Sequence, residues 1–114
     1  LAISLEFGAH SLDVNGWVVD FGGMKDLKAS IVETFDHKLL VAADDPLLVH
    51  FKVLSDAGAA HLVVLPAVGC ERFAEAVFAM TEAWLARTGY APRVQLTKVE
   101  VREHGANSAI VYAA

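Results

Sequence analysis

An acidic residue and a histidine stand side by side at Asp36-His37, directly after a segment with the apolar spacing of a helix. A carboxylate next to an imidazole can orient the ring and stabilise its protonated form, as a proton-transfer residue near neutral pH requires. A histidine at a helix end can equally be stabilised by the helix dipole without any catalytic role. Spacing alone favours that structural explanation.

A second candidate is Glu103, which ends a predicted strand and begins the sequence EHGANS at 103–108. A carboxylate at a strand end can accept two parallel hydrogen bonds from the N3 and 2-amino groups of a pterin or guanine ring. A solvated acid in a turn has the same sequence context. Spacing alone favours that alternative too.

The pair Cys70-Glu71 lies at the start of a second predicted helix. The unpaired backbone amides and the positive dipole at a helix start could activate a thiol or bind an anion. Glu71 could instead be a stabilising first-turn acid, and Cys70 a small buried apolar residue. Those two explanations are favoured over a nucleophilic cysteine.

The histidines do not form a metal-binding motif. They stand at 10, 37, 50, 61 and 104, with neither HxH nor HExxH spacing. No single strand or helix therefore offers two histidine ligands to a metal. We expect no zinc site built from this chain alone.

The composition excludes several classes of function. Of 114 residues, 55% are hydrophobic and 20% charged, which indicates one folded domain over 1–114 rather than a disordered tail. The net charge is −5 and the basic residues are scattered, so nucleic acid is not an expected partner. No apolar run approaches the roughly 18 residues that span a bilayer, so no membrane partner is expected.

The apolar content also bears on assembly and location. So small a sheet cannot cover all of this apolar surface, which predicts a homo-oligomer. A single cysteine cannot form an internal disulfide, which fits a reducing cytoplasm.

The apolar spacing predicts an α+β domain, with an antiparallel sheet and two helices on one of its faces. Period-two alternation predicts the strands, and spacing by three and four predicts the helices. The predicted elements are a strand at 3–7, a turn at 13–16, an extended run at 17–21, helices at 24–35 and 71–87, and strands at 94–103 and 108–112.

Three further features follow from the pattern. The apolar residues change parity between Leu96 and Val99, which predicts a β-bulge near Thr97 and Lys98. Residues 38–69 show no clear period. Four aromatic residues have the spacing of a core: Trp17, Phe73, Phe78 and Trp84.

Four motifs resemble, in order and spacing, those of the family that contains 6-pyruvoyltetrahydropterin synthase and 6-carboxytetrahydropterin synthase. Residues 16–25, GWVVDFGGMK, resemble its G-[MW]-V-V-D-F-x-x-[LM]-K signature, and residues 34–40, TFDHKLL, resemble its LDH-x-x-L segment. Residues 70–74, CERFA, are similar to its T-[AS]-E-N-[LI]-A segment. Residues 101–109, VREHGANSA, are similar to its V-x-V-x-E-[TH]-x-x-N-x-A-x-Y ending.

The resemblance implies a tunnelling fold, or T-fold, whose subunits join their sheets into a barrel with active sites between neighbours. It implies 7,8-dihydroneopterin triphosphate as substrate and zinc as the ion that polarises the substrate side chain. Asp36 and His37 match the family's proton relay, and Glu103 matches its pterin anchor. Glu71 matches a helix-start glutamate near the pterin, and Cys70 replaces a threonine beside it. The resemblance therefore implies that Cys70 and Glu71 bind the substrate together with Glu103, and Cys70 is not expected to be the catalytic base.

The chain departs from the family in its metal ligands. These come from an F-x-A-x-H-x-L strand and a C-x-x-x-L-H-G-H-x-[YF] segment, which also holds the catalytic cysteine. Residues 7–12, FGAHSL, imitate the first motif, but His10 lies too close to Asp20 to match, so we interpret it as a turn histidine. We expect the zinc-binding N-terminal hairpin upstream of Leu1, and the alternative is a metal-free homologue.

These observations give three hypotheses of different kinds. The leading one is a lyase of the 6-carboxytetrahydropterin type, which feeds 7-deazaguanine and queuosine synthesis, rather than of the pyruvoyl type. The second is a zinc-free T-fold module that binds a pterin or purine-like ligand without turnover. The third is a purely structural oligomer.

Overall fold

A computed structural model describes residues 2–35, 39–65, 69–102 and 107–114, without the side chains of residues 39, 40 and 65. Its elements combine strands and helices along one chain. In order they are β1 (Ala2–Ala9), a 3-10 turn (Phe21–Met24), α1 (Lys25–Phe35), β2 (Leu39–Ala42), α2 (Leu48–Asp56), β3 (Leu62–Leu65), α3 (Cys70–Arg87), β4 (Val94–Arg102) and β5 (Ser108–Tyr112). No helix in these ranges is both long and apolar enough to cross a membrane.

The main sheet is antiparallel, in the order β1-β4-β5. Its register pairs Glu6 with Lys98 but the next residue, Phe7, with Leu96, so Thr97 is an extra residue in β4. This is the predicted β-bulge. It lets two sets of apolar residues of opposite parity face the same side of the sheet.

The core lies between this sheet and helices α1 and α3. Val99 and Val101 of β4 are fully buried, and so is Val77 of α3. Trp84 of α3 is also buried, with 1% of its surface exposed. Helix α1 adds Ile31 and other residues of its apolar stripe to the same cluster. The predicted α+β class, both predicted helices and the strands that pack against them are therefore confirmed.

The expected extended run at 17–21 is wrong. Residues 17–20 have no regular structure, and the 3-10 turn begins at Phe21. The cause is local, because Asp20 Oδ1 accepts a hydrogen bond of 2.9 Å from the Gly22 amide and so caps the turn. The prediction of Trp17 as a core residue is wrong as well, since 48% of it is exposed.

Residues 38–69, for which no period was evident, contain regular structure. Strands β2 and β3 pair in parallel, with Leu39 opposite Leu62, and α2 connects them. Val41 of β2 is buried, whereas none of the residues of α2 is buried. This parallel unit is an addition to the predicted antiparallel sheet and its two helices.

Candidate functional site

Some of the predicted site residues lie within the part of the chain that the structure describes, and others lie outside it. Asp36, His37 and Glu103 lie outside the described residues, so their catalytic and pterin-anchoring roles stay predictions. Cys70 and Glu71 lie within them, as the first two residues of α3.

At the start of α3 the side chains of Cys70 and Glu71 lie in different environments. Cys70 is 7% exposed and belongs to the hydrophobic core, whereas Glu71 is exposed. Gly69, the N-cap residue, has φ +131° and supplies no side-chain cap. A Cβ on Gly69 would lie 3.3 Å from Glu71 Oε2, so the Glu71 carboxylate lies close over the Gly69 backbone. Cys70 therefore packs in the core and Glu71 is the exposed side chain of the pair, and the predicted substrate-binding roles of both stay predictions.

A pair of exposed aromatic residues marks a second candidate site. Trp17 is 48% exposed and Phe21 is 80% exposed. Both line an open cavity of about 380 Å³, to which residues 17–22 contribute among the part of the chain that the structure describes. Exposing two large aromatic side chains beside one cavity leaves apolar surface in water, which is typical of a binding surface.

Asp20 places a carboxylate on the wall of the same cavity. One of its oxygens, Oδ1, is held by the Gly22 amide at 2.9 Å. The Asp20 amide lies 3.4 Å from Tyr90 Oη, and the Tyr90 ring packs on Trp84 with a centroid distance of 5.3 Å. The backbone of the cavity wall is thereby tied to the buried face of α3.

A tight turn centred on Asp13 sets the position of Trp17. Asp13 Oδ1 accepts hydrogen bonds from the Asn15 amide at 2.8 Å and from the Trp17 amide at 2.9 Å. Gly16 has φ +78°, which favours glycine. This is the turn predicted at 13–16, and it leads the chain directly into the cavity wall.

A larger apolar groove of about 580 Å³ adjoins this wall, and Phe21 lines both spaces. The groove runs between Ile3 and Leu5 of β1 and the apolar stripe of α1, with Lys25 and Lys28 among its lining residues. Within the described residues β1 pairs with β4 alone, so the strand that contributes Ile3 and Leu5 to the groove also has an unpaired edge. An open strand edge beside an apolar groove is a surface with which a further strand can pair.

The described residues do not supply a metal site. Within residues 2–35, 39–65, 69–102 and 107–114, no three His, Cys, Asp or Glu side chains are grouped to hold a metal ion. His10 follows β1, and its Nε2 lies 3.2 Å from Gln95 Nε2. The residues described therefore do not fit a zinc ion, and zinc as the cofactor stays a prediction.

The comparisons with known proteins concern the whole chain. A family model described as 6-pyruvoyl tetrahydropterin synthase matches residues 1–114. Among proteins of curated function, the sequence comparison finds no match. The structure is similar to the crystal structure of an uncharacterized protein from Wolinella succinogenes, with a TM-score of 0.79 and 21% identity over 98% of this chain and 76% of that one. The likeness in structure and the family match establish the predicted T-fold.

Proposed function

Because this chain belongs to the 6-pyruvoyl tetrahydropterin synthase family, whose general activity is that of pterin-processing lyases, we propose that it acts on 7,8-dihydroneopterin triphosphate. The proposed product is 6-carboxytetrahydropterin, with 6-pyruvoyltetrahydropterin as the alternative. The observation that carries the proposal is the cavity walled by Trp17 and Phe21, which offers flat apolar surface to a bicyclic ring.

In this proposal the two aromatic side chains hold the pterin by stacking. Offset or tilted stacking of aromatic rings adds about 0.5–1.5 kcal/mol to the free energy gained by burying their surface. A pterin is nearly planar, and its N3 and 2-amino donors lie side by side on one edge. Stacking therefore fixes the plane of the ring and leaves that edge to a carboxylate.

Glu103 is the proposed partner of the donor edge. Its carboxylate accepts two parallel hydrogen bonds from N3 and the 2-amino group, which fixes the ring within its plane. Glu71, exposed at the start of α3, is the proposed second acid near the pterin, with Cys70 packed beneath it.

Asp36 and His37 are the proposed proton-transfer pair. Both products require elimination of triphosphate and movement of protons between carbon and oxygen atoms of the side chain. The carboxy product also requires cleavage of the side chain after its first carbon, with uptake of one water and release of the two terminal carbons as acetaldehyde. The imidazole of His37 can accept and return such protons, and the Asp36 carboxylate orients it. Zinc is the proposed cofactor, as the resemblance to the family implies, and none of the residues that the structure describes is assigned to hold it.

We propose that the protein is a homo-oligomer with its sites between subunits. The accessible surface is 7336 Å², against about 6,000 Å² expected for a compact monomer of this mass. The radius of gyration is 16.3 Å, against about 13 Å expected for this length. Within the described residues, β1 and β5 form the two outer edges of the sheet. The large accessible surface and the large radius of gyration both support burial of these edges against neighbouring subunits.

The experiment that tests the function has two readouts on one protein. Incubation with 7,8-dihydroneopterin triphosphate, followed by mass spectrometry, identifies the product as carboxy or pyruvoyl pterin. Metal analysis of the same preparation measures zinc per subunit. Turnover with stoichiometric zinc supports the lyase, whereas pterin binding with neither turnover nor zinc supports the zinc-free binding module.

Replacing Glu103 by alanine tests the pterin anchor. We expect loss of measurable affinity for neopterin, a fluorescent pterin, by fluorescence titration. Glu82→Ala, which removes an exposed acid from α3, is the matched control and should bind neopterin like the unmodified protein. Near-normal affinity of the Glu103→Ala variant would count against the assignment. Binding of no pterin by any of the proteins leaves the purely structural oligomer as the explanation.

A further inference from the structure

The guanidinium of Arg93 joins two distant points of the loop that precedes the aromatic cavity. Its Nη1 donates to the Ser11 carbonyl at 2.7 Å, and its Nη2 donates to the Val18 carbonyl at 2.8 Å. Arg93 stands between α3 and the start of β4, and it is half-buried. One side chain, next to the first residue of β4, therefore holds both ends of the segment 11–18.

The backbone of Arg93 adds a third connection. Its carbonyl accepts a hydrogen bond of 3.1 Å from the amide of His10, the residue just after β1. The segment is thus fixed where it leaves β1 and again just before Val19, which is buried in the core. Between these points it exposes Leu12, Val14 and Trp17, so its own apolar residues do little to hold it.

The chemistry of this contact requires arginine. A guanidinium presents several N–H groups in one rigid plane, so it can donate to two separate carbonyl oxygens at once, and its charge strengthens both bonds. A lysine ammonium is a point donor on a flexible stem, and it cannot reproduce this planar bridge. The side chain is directed to backbone carbonyls, and Arg93 is not among the residues that line the cavity at 17–22.

We propose that Arg93 is a positioning residue for the aromatic cavity, acting through the loop that carries Trp17. By fixing the Ser11 and Val18 carbonyls, it holds Trp17 at the cavity before a ligand arrives. Binding then does not have to order the loop, which would otherwise reduce the affinity. The effect on ligand binding rests on the proposed function, because it assumes that the cavity receives the pterin ring.

The test compares Arg93→Lys and Arg93→Gln with the unmodified protein, and uses Arg87→Gln, at an exposed arginine of α3, as the matched control. Hydrogen exchange measured by mass spectrometry reports on the amides of residues 11–22 in the free protein. Fluorescence titration with neopterin reports on the affinity. For both Arg93 variants we expect exchange in 11–22 to be about tenfold faster, and the dissociation constant for neopterin to rise about tenfold.

The set of amides whose hydrogen exchange changes distinguishes a positioning role of Arg93 from a general structural role. Exchange in α3 and β4 should be unchanged in the Arg93 variants, whereas general destabilisation would accelerate it there as well and would overturn the proposal. Failure of lysine to restore slow exchange is expected, because lysine keeps the charge and loses the planar bridge. Full rescue by lysine would overturn the proposed role of the guanidinium.

The two readouts also separate this inference from the proposed function. Unaltered exchange at 11–22 in both Arg93 variants overturns the inference, whatever the proteins bind. If exchange is accelerated but the unmodified protein binds no neopterin, the loop-fixing role is supported and the proposed function fails. If exchange is accelerated and the affinity for neopterin is unchanged, Arg93 does not position the binding cavity.

Discussion

Thr97 and Glu6 are joined by a side-chain contact across the bulge of β4. Thr97 Oγ1 lies 2.8 Å from Glu6 Oε1 and 3.0 Å from the Glu6 carbonyl oxygen. On the neighbouring part of β1, a Cβ added to Gly8 would lie 3.2 Å from the Thr97 methyl group. The extra residue of the strand is therefore packed over β1.

Deleting Thr97 should leave the fold intact. Val94 and Leu96 lie before the bulge, and Val99 and Val101 after it, all of them buried. Without Thr97 the four would follow a regular period of two and would still face the helices. We expect a loss of about 1 kcal/mol in unfolding free energy, as for the loss of a hydrogen bond, measured by urea denaturation.

Deletion of Glu100 is the matched control for the bulge. It would turn Val101 away from the core and shift its pairing with β1 and β5. We therefore expect this variant to lose its cooperative unfolding transition. Equal losses of stability in the two deletion variants would contradict the account of the bulge.

The parts of the fold that the sequence predicts are those set by local patterns. Helices α1 and α3 have apolar residues spaced by three and four, and they were found where the spacing indicated. The bulge shows itself as a parity change. Helix α2 has no such recognisable pattern, because its residues LVHFKVLSD are mostly apolar and none of them is buried. The pairing of β2 with β3 joins segments on either side of that helix, and no local period indicates it.

The candidate site was predictable only in part. The roles of Asp36, His37 and Glu103 came from resemblance to a family, and spacing alone did not favour them. The spacing of four aromatic residues predicts Trp17 as a core residue, which is wrong. Its true position depends on contacts of Asp13 and Arg93 with the loop backbone, and the Arg93 contacts join residues far apart in the sequence.

Truncating a buried valine of α3 should be costly. Val77 has no exposed surface, so Val77→Ala leaves a cavity beneath the sheet, and we expect the unfolding free energy to fall by about 2 kcal/mol. Val53→Ala removes the same atoms from α2, where Val53 is 61% exposed, and should change stability by less than about 0.5 kcal/mol. Urea denaturation measures both. A similar cost at the two sites would mean that α2 is covered in the assembled protein.

The cap formed by Asp20 should matter more for the cavity wall than for the core. Asp20→Ala removes the acceptor of the Gly22 amide and should lower stability by about 1 kcal/mol, while Asp20→Asn keeps an acceptor oxygen and should cost less. Hydrogen exchange should accelerate at Gly22 in the alanine variant. Unchanged exchange at that amide in the alanine variant would show that the cap does not hold the turn.

Removing the aromatic wall should weaken pterin binding without unfolding the protein. Trp17 is half exposed, so Trp17→Ala should leave the unfolding free energy nearly unchanged, and loss of a stacking partner should weaken neopterin binding about tenfold. Trp17→Phe keeps an aromatic face and should retain most of the affinity. Val14→Ala alters a fully exposed residue of the same loop and serves as the control for loop substitutions. If the alanine variant at Trp17 binds neopterin as tightly as the Val14 control, the cavity at 17–22 is not where the ring stacks.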